Sequence, residues 1–288
     1  MTAGEQGGAY TLGHSPDPDD AFMFFGMATG RIDMEGLRFE HILEDIETLN
    51  QRARREELDV TAVSYHAYPY IANRYLILRG GSSMGDDYGP LVVAREPMSP
   101  SQLAEAIVAV PGRLTSAFLA LQLCVGRLPR AEVMPFDRIL DAVAAGRAAA
   151  GLIIHEGQLT YSHHGLRVVI DLGHWWFERT GGLPLPLGCN VVRRAIGGER
   201  IAQISRILAR SIRYSLDHRG AAVAHALAYA RDMNMALADR FIGMYVNDLT
   251  VDLGARGRAG VERFLAEGRA AGLLAADARA EFAGAGPD

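Results

Sequence analysis

Four short segments of this chain carry residue types suited to chemistry, and each stands where a strand-like run gives way to a turn or helix. The apolar run Ala150-Gly151-Leu152-Ile153-Ile154 ends abruptly at His155. In open α/β sheets ligands lie just beyond the carboxyl ends of the strands, so His155 would stand at a pocket mouth. An imidazole there titrates near neutral pH and can serve as a general base. It reads equally as a histidine that closes a strand and bonds a loop. Extended neighbours point to opposite faces, so Glu156 is expected outside the pocket. Ser15-Pro16-Asp17-Pro18-Asp19-Asp20 enters a helix. Ser15, Asp19 or Asp20 could cap it, but three aspartates exceed what capping needs and point to a ligand contact at Ser15 and Asp19. Ser64, after the run Val60–Val63, is either an N-cap or a donor to a substrate carboxylate. His66 is left open, and Tyr65, Tyr68 and Tyr70 read as core or lobe-face residues. In Pro111-Gly112-Arg113-Leu114-Thr115-Ser116-Ala117 a glycine turn leads hydroxyl residues into a helix. The exposed N–H groups and positive dipole end there suit an anion.

The elements that must position these residues alternate. Strands are expected over residues 10–13, 39–43, 60–64, 75–79 and 91–94, then over 106–110, 133–135, 150–154, 168–172 and 190–193. Helices are expected from Asp20 through Ala28, from Asp45 to Arg55, from Tyr65 to Asn73 and from Thr115 to Val125. A helical C-terminal part follows over residues 201–216, 220–231, 236–245 and 257–268. Its apolar residues recur at spacings of three and four. Alternation of this kind argues for α/β architecture. Two such blocks imply two lobes, with the chain crossing near Val92–Arg95 and returning near Gly188–Val192. Residues 1–93 with 190–288 would form one lobe and 94–189 the other, joined by a double-crossover hinge with a small-molecule cleft between them. A single decorated sheet is the competing architecture. The stretch past Ala275 is rich in alanine and glycine and is expected to fray.

Composition removes several function classes. All 29 basic residues are arginine. With no lysine there is no Schiff base, no pyridoxal-phosphate linkage and no P-loop. A net charge of -5 gives no reason to expect nucleic-acid binding. Cys124 and Cys189 are isolated and apolar in setting, as buried thiols in a reducing compartment would be. No metal-ligand spacing is present, since His163-His164 has no companions. Residues 1–9 do not read as a secretory signal and no apolar run approaches membrane-spanning length, so a cytoplasmic location is expected.

With the junctions in place the chain closely resembles the 1,4-dihydroxy-6-naphthoate synthase family of the futalosine route to menaquinone, whose substrate is cyclic dehypoxanthine futalosine. The matching segments run from about Leu12 to Leu265. They include Ser15-Pro16 with Asp20, Leu43–Asn50, Gly89–Arg95, Val110–Arg113, Phe136–Leu140, Gly151–Glu156, Asp171–Trp176 and Leu183–Gly188. The resemblance implies two α/β lobes of the type-II periplasmic-binding-protein kind. It also implies a cofactor-free lyase in which a histidine accepts a proton, a role that falls on His155. Substrate contacts carry over to Ala62, Val63 and Ser64 and to Ser116 and Ala117, with Thr115 beside them. The partner implied is a small carboxylate, with no nucleic acid or membrane.

Two departures from the family pattern stand out. Where relatives often carry Ser-Pro-Cys-Pro-Asn-Asp, this chain has Ser15-Pro16-Asp17-Pro18-Asp19-Asp20. An aspartate at residue 19 is expected to replace an amide donor with an acceptor and to set negative charge near an anionic substrate. The position of Ala62 can be lysine in relatives. Two rival readings follow from the same fold: the chorismate dehydratase of the same route, and a non-catalytic protein that binds a small carboxylate. The Ile154-His155-Glu156 context and Trp175-Trp176 favour the synthase over the dehydratase. A histidine at the cleft argues against the binding protein.

Overall fold

The computed structural model describes residues 9–230 and 233–284. Most of the N-terminal stretch read above, Arg231 of the expected second C-terminal helix and the last four residues of the tail lie outside them.

The chain builds two sheets. The first holds β1 (Tyr10–His14), β2 (Phe39–Leu43), β3 (Val60–Ser64), β4 (Tyr75–Ile77) and β5 (Ser83–Gly85). The second holds β6 (Leu91–Ala94), β7 (Val108–Val110), β8 (Ala131–Val133), β9 (Ala150–Ile153) and β10 (Arg167–Asp171). The last strand, β11 (Leu185–Arg193), returns to the first sheet. The spatial orders are β2-β1-β3-β11-β4, with β5 also on β11, and β10-β6-β9-β7-β8. Parallel neighbours require crossovers, and helices supply them. The helices Pro18–Met23 and Phe25–Ala28 connect β1 to β2, and Ile46–Arg54 connects β2 to β3. Asp45 starts the latter as its sequence suggested, accepting from the N–H groups of Glu47 and Thr48 at 3.1 Å each. The parallel register puts the ends of β1 and β3 on one side of the first sheet.

The core explains why the two sheets stay together. One continuous apolar cluster includes Val63 and Val191 of the first sheet and Val92, Val108 and Leu152 of the second. Trp176 lies at its centre, edge-on to Phe264 with ring centroids 5.5 Å apart, and its Nε1–H donates to the Pro184 carbonyl. A second cluster packs β1 against the helices of residues 18–28 and 198–217. No described helix is long and apolar enough to cross a membrane.

Several expectations are corrected. The helix expected over Tyr65–Asn73 is only a 3-10 turn at Tyr68–Tyr70, because Pro69 removes a donor and restricts the residue before it. Tyr65 and Tyr68 are core residues, whereas Tyr70 is exposed. The expected strand 190–193 begins at Leu185 and runs through Pro186 and Gly188 with a register shift between them. The expected crossing at Val92–Arg95 starts inside β6, which pairs with β9 and β10. The expected return lies inside β11. The chain changes sheets over residues 86–90 and again between Asp171 and Leu185, where the helix Leu172–Thr180 is followed by residues 181–184. An apolar strand carries no mark of which sheet it joins, so its sequence could not place the crossings. The tail does not fray through Gly284: Phe282 bridges to Ile77, and Ala278 and Ala283 are buried.

Both crossings are tied down. Arg256 makes a bidentate pair with Asp86, its Nη1 lying 2.7 Å from Oδ2, and its Nε donates to the Gly182 carbonyl at 3.1 Å. The helix Leu172–Thr180 begins hard against the first crossing, where a Cβ on Gly173 would lie 1.9 Å from the Tyr88 carbonyl. Backbone cannot yield as a flexible side chain does. Gly173→Ala should therefore cost about 1–3 kcal/mol, read as a lowered midpoint in thermal or denaturant unfolding. Gly198→Ala, with nothing within 4 Å of its Cβ, is the control and should change little. Equal midpoints for the two variants would refute the close approach.

Candidate active site

A cavity of about 110 Å³ opens between the sheets. Its wall includes Ser15 after β1, Ala62 and Ser64 of β3, and Ile154 and His155 after β9. Thr115, Ser116 and Ala117, at the start of the helix Ser116–Val125, complete this part of the wall, and Asp19 and Asp20 lie beside Ser15. The four junctions picked out in the sequence thus meet at one place. Val63 is the exception. Its side chain is fully buried in the main core and does not line the cavity, because alternation along β3 sends Ala62 and Ser64 one way and Val63 the other.

His155 sits just past the end of β9 with φ +56°, a left-handed conformation uncommon for a residue with a Cβ. The strand has already turned there, and Glu156 is not part of the cavity wall. The ring packs edge-on against Phe136 at 4.7 Å between centroids, and its Nδ1 lies 3.1 Å from Asp17 Oδ2. Nε2 is buried and without a partner among the described residues. A carboxylate only accepts, so it holds the proton on Nδ1 and leaves Nε2 as the acceptor. Asp17 was not singled out in the sequence, where the surplus of aspartates pointed to Ser15 and Asp19 instead. It does occupy the N-cap position of Pro18–Met23, yet its side chain makes no cap hydrogen bond. That carboxylate takes the Ser15 hydroxyl and faces His155 instead.

Three carboxyl groups are crowded into this turn, and two have donors. Asp20 Oδ2 accepts the Ser15 N–H at 2.7 Å, and Asp17 has Ser15 Oγ and His155. Asp19 Oδ1 is buried with no partner. Burial, then the neighbouring Asp20 and Asp17, raises Asp19 well above the ordinary carboxylate range. Burial raises Asp20 as well, while the Ser15 donors work against the rise.

The opposite end of the cavity suits an anion, though through the backbone rather than the hydroxyls. Thr115 Oγ1 caps the helix by accepting from the Phe118 N–H and donates to the Gly112 carbonyl. Ser116 Oγ donates to the Leu187 carbonyl at 2.6 Å and accepts the His66 N–H. Glu47 takes the Leu114 N–H. The N–H groups of Ser116 and Ala117, the first two of the helix, have no intrahelical acceptor and carry its positive dipole end. Ser64 keeps a proton to give: Asn50 Nδ2 donates to its hydroxyl at 3.2 Å, and Asn50 Oδ1 accepts its N–H at 2.8 Å.

Other lining residues had no sequence signal. Tyr245 donates to Gln158 Oε1 at 2.7 Å, joining the helix Met235–Tyr245 to the segment after His155, and burial holds its phenol protonated. Asn190 is 1% exposed, and its Nδ2 donates to the Gly81 carbonyl while its Oδ1 has no partner. Cys189 lines the wall as a thiol whose pKa burial pushes up, which disfavours a nucleophilic role. His66 lies outside the cavity wall. Burial pushes it down to about 4, and its Nδ1 faces the Thr115 carbonyl, so it supports the anion-binding turn as a neutral ring. Among the described residues no group of three or more His, Cys, Asp or Glu is placed to hold a metal ion.

The chain is similar to known proteins in sequence and in fold. The sequence model of a family described as "Menaquinone biosynthesis" matches residues 10–270. A protein named 1,4-dihydroxy-6-naphtoate synthase from Thermus thermophilus is 42% identical over 275 residues, covering 95% of this chain and 99% of the relative. One of the same name from Streptomyces coelicolor is 36% identical over 270 residues, covering 92% and 94%. Among solved structures, a Candida albicans protein described as having the generic periplasmic binding protein fold superposes with TM-score 0.68 at 12% identity, covering 93% of this chain and 91% of that one. At that identity the likeness concerns the fold alone, and it establishes the fold expected above.

The brace behind Ser64 can be tested without a ligand. Asn50 is fully buried, and Asn50→Ala would leave the Ser64 N–H without its acceptor. The expected loss is about 1–3 kcal/mol in denaturant unfolding. A loss within error of zero would mean that the pair does not hold the end of β3.

Proposed function

The chain belongs to the menaquinone-biosynthesis family, and from that premise we propose that it is a 1,4-dihydroxy-6-naphthoate synthase acting on cyclic dehypoxanthine futalosine. The observation that carries this reading is the Asp17–His155 pair, at 3.1 Å, with Nε2 buried and unpartnered in the cavity wall. In the proposed reaction Nε2 takes the proton of a substrate hydroxyl. The alkoxide collapses to a carbonyl, the adjacent carbon–carbon bond breaks, and its electron pair passes into the ring that becomes the naphthalene diol. Aromatisation drives the cleavage. Asp17 fixes the tautomer and stabilises the imidazolium that forms.

The substrate carboxylate is held at the other end by the N–H groups of Ser116 and Ala117 and by the Ser64 hydroxyl. The two sheets with their helices act as lobes, divided at residues 86–90 and 172–184, whose closure excludes water. A protein that only binds a carboxylate has no use for a buried aspartate trained on a histidine, so the pair favours catalysis over storage or transport.

Incubation with cyclic dehypoxanthine futalosine should yield the naphthoate by mass. His155→Ala should lower kcat by about 10²–10⁴-fold while substrate still binds. Asp17→Asn, which removes the tautomer lock, should lower kcat by up to about 10⁴-fold with the fold intact. Near-wild-type turnover in His155→Ala would sink the assignment of the base.

A further inference from the structure

The acid turn holds a group that neither the base nor the carboxylate site uses. Asp17 and Asp20 are each supplied with donors by Ser15 and His155, whereas Asp19 Oδ1 is buried with no partner. Asp19 lines the cavity with His155 and Tyr245. The groups facing it are Asp17 and Asp20 of its own turn, His155 after β9 and Tyr245 of the helix Met235–Tyr245. A second polar atom on the same wall also awaits a ligand, since Asn190 is 1% exposed and its Oδ1 is unpartnered. Three crowded carboxylates cannot all stay ionised without cations to offset them. The Ser15 donors oppose the rise at Asp20. Asp19 Oδ1 has no partner among the described residues, and the proton is assigned there.

We propose that Asp19 works as a neutral carboxylic acid whose O–H donates a hydrogen bond to the substrate oxygen that takes up negative charge during carbon–carbon cleavage. This role rests on the reaction proposed above. That reaction passes the electron pair of the broken bond on to a carbonyl oxygen of the ring, as an enolate that becomes one hydroxyl of the 1,4-diol. His155 holds the proton taken from the other partner's hydroxyl, and Asp19 shares its own proton without transferring it. The chain has no lysine to neutralise that oxygen. A neutral carboxyl pointed at a developing oxyanion in a dry site serves the same purpose. The earlier expectation, that aspartate at residue 19 replaces a donor with an acceptor, is thereby reversed: a protonated Asp19 donates as the asparagine of relatives would.

The protonation state and the role are tested separately. The infrared spectrum of the ligand-free protein near neutral pH should contain a buried protonated-carboxyl band that is lost in Asp19→Asn. Its persistence in that variant, or its loss in Asp20→Asn instead, would overturn the assignment whatever the substrate. In turnover, Asp19→Ala should lower kcat by about 10²–10³-fold with KM little changed, and Asp19→Asn should recover most of that loss. The acid is the donor, so wild-type kcat should fall as pH rises through the raised pKa of Asp19. Asp19→Asn should lack this alkaline arm. An unchanged arm in Asp19→Asn, or an Asp19→Ala effect confined to KM, would overturn the proposal. A wild-type protein that leaves the substrate untouched would instead sink the substrate reading and leave the infrared result standing.

Discussion

Asp17 follows β1 of the first sheet and His155 follows β9 of the second, so the 3.1 Å contact between them spans the cleft. A hydrogen bond of this kind is sensitive to a displacement of half an ångström, and the rest of the molecule sets that displacement. The apolar cluster shared by both sheets fixes their separation, Trp176 anchors the return crossing through Pro184, and Arg256 binds both crossings at once. The left-handed backbone at His155 belongs to the same arrangement. A residue that continued β9 in extended geometry would carry its ring along the strand, whereas the turn at φ +56° directs it toward the acid turn and Phe136. Strain of roughly 1–3 kcal/mol at one residue is tolerable when the surrounding core over-determines its position.

Electrostatics divide the cavity into two ends. At one end a helix start offers backbone N–H groups, since Thr115 and Ser116 spend their hydroxyls on capping and on Leu187 while Glu47 takes the Leu114 N–H. At the other, three carboxyl groups surround a single imidazole. On the proposed reading, an anionic ligand lies with its carboxylate toward the helix and its reacting centre toward His155. The helix dipole therefore supplies orientation as well as affinity, and the acid turn repels the wrong end of the ligand.

The sequence made part of this legible, for reasons that can be named. His155, Ser15, Ser64 and the Thr115–Ala117 turn were visible because strand ends in α/β proteins converge, and a polar residue at the end of an apolar run marks such an end. Ala62 and Val63 came from resemblance as a pair, and strand alternation separates them. Asp17 stayed hidden because the surplus of aspartates pointed to Ser15 and Asp19. Tyr245 and Gln158 are far apart in the chain and meet only through packing. Pro69 was an available signal against the helix expected at Tyr65–Asn73. The crossings at residues 86–90 and 172–184 had no signal, because strand pairing is decided by tertiary contacts.

The two departures in the acid turn make physical sense together rather than singly. Relatives often carry cysteine and asparagine where this chain has Asp17 and Asp19. An aspartate at residue 17 gives His155 a stronger acceptor than a thiol could be, and it adds a carboxyl group to a buried turn that already holds Asp20. With asparagine at residue 19 that added carboxyl group would meet a neutral neighbour. With aspartate there, the same group raises the neighbour's affinity for its proton and so keeps it a donor. Asp17 thus helps maintain the neutral Asp19. A change that looks like the loss of an amide donor becomes, beside the other, a way of keeping one.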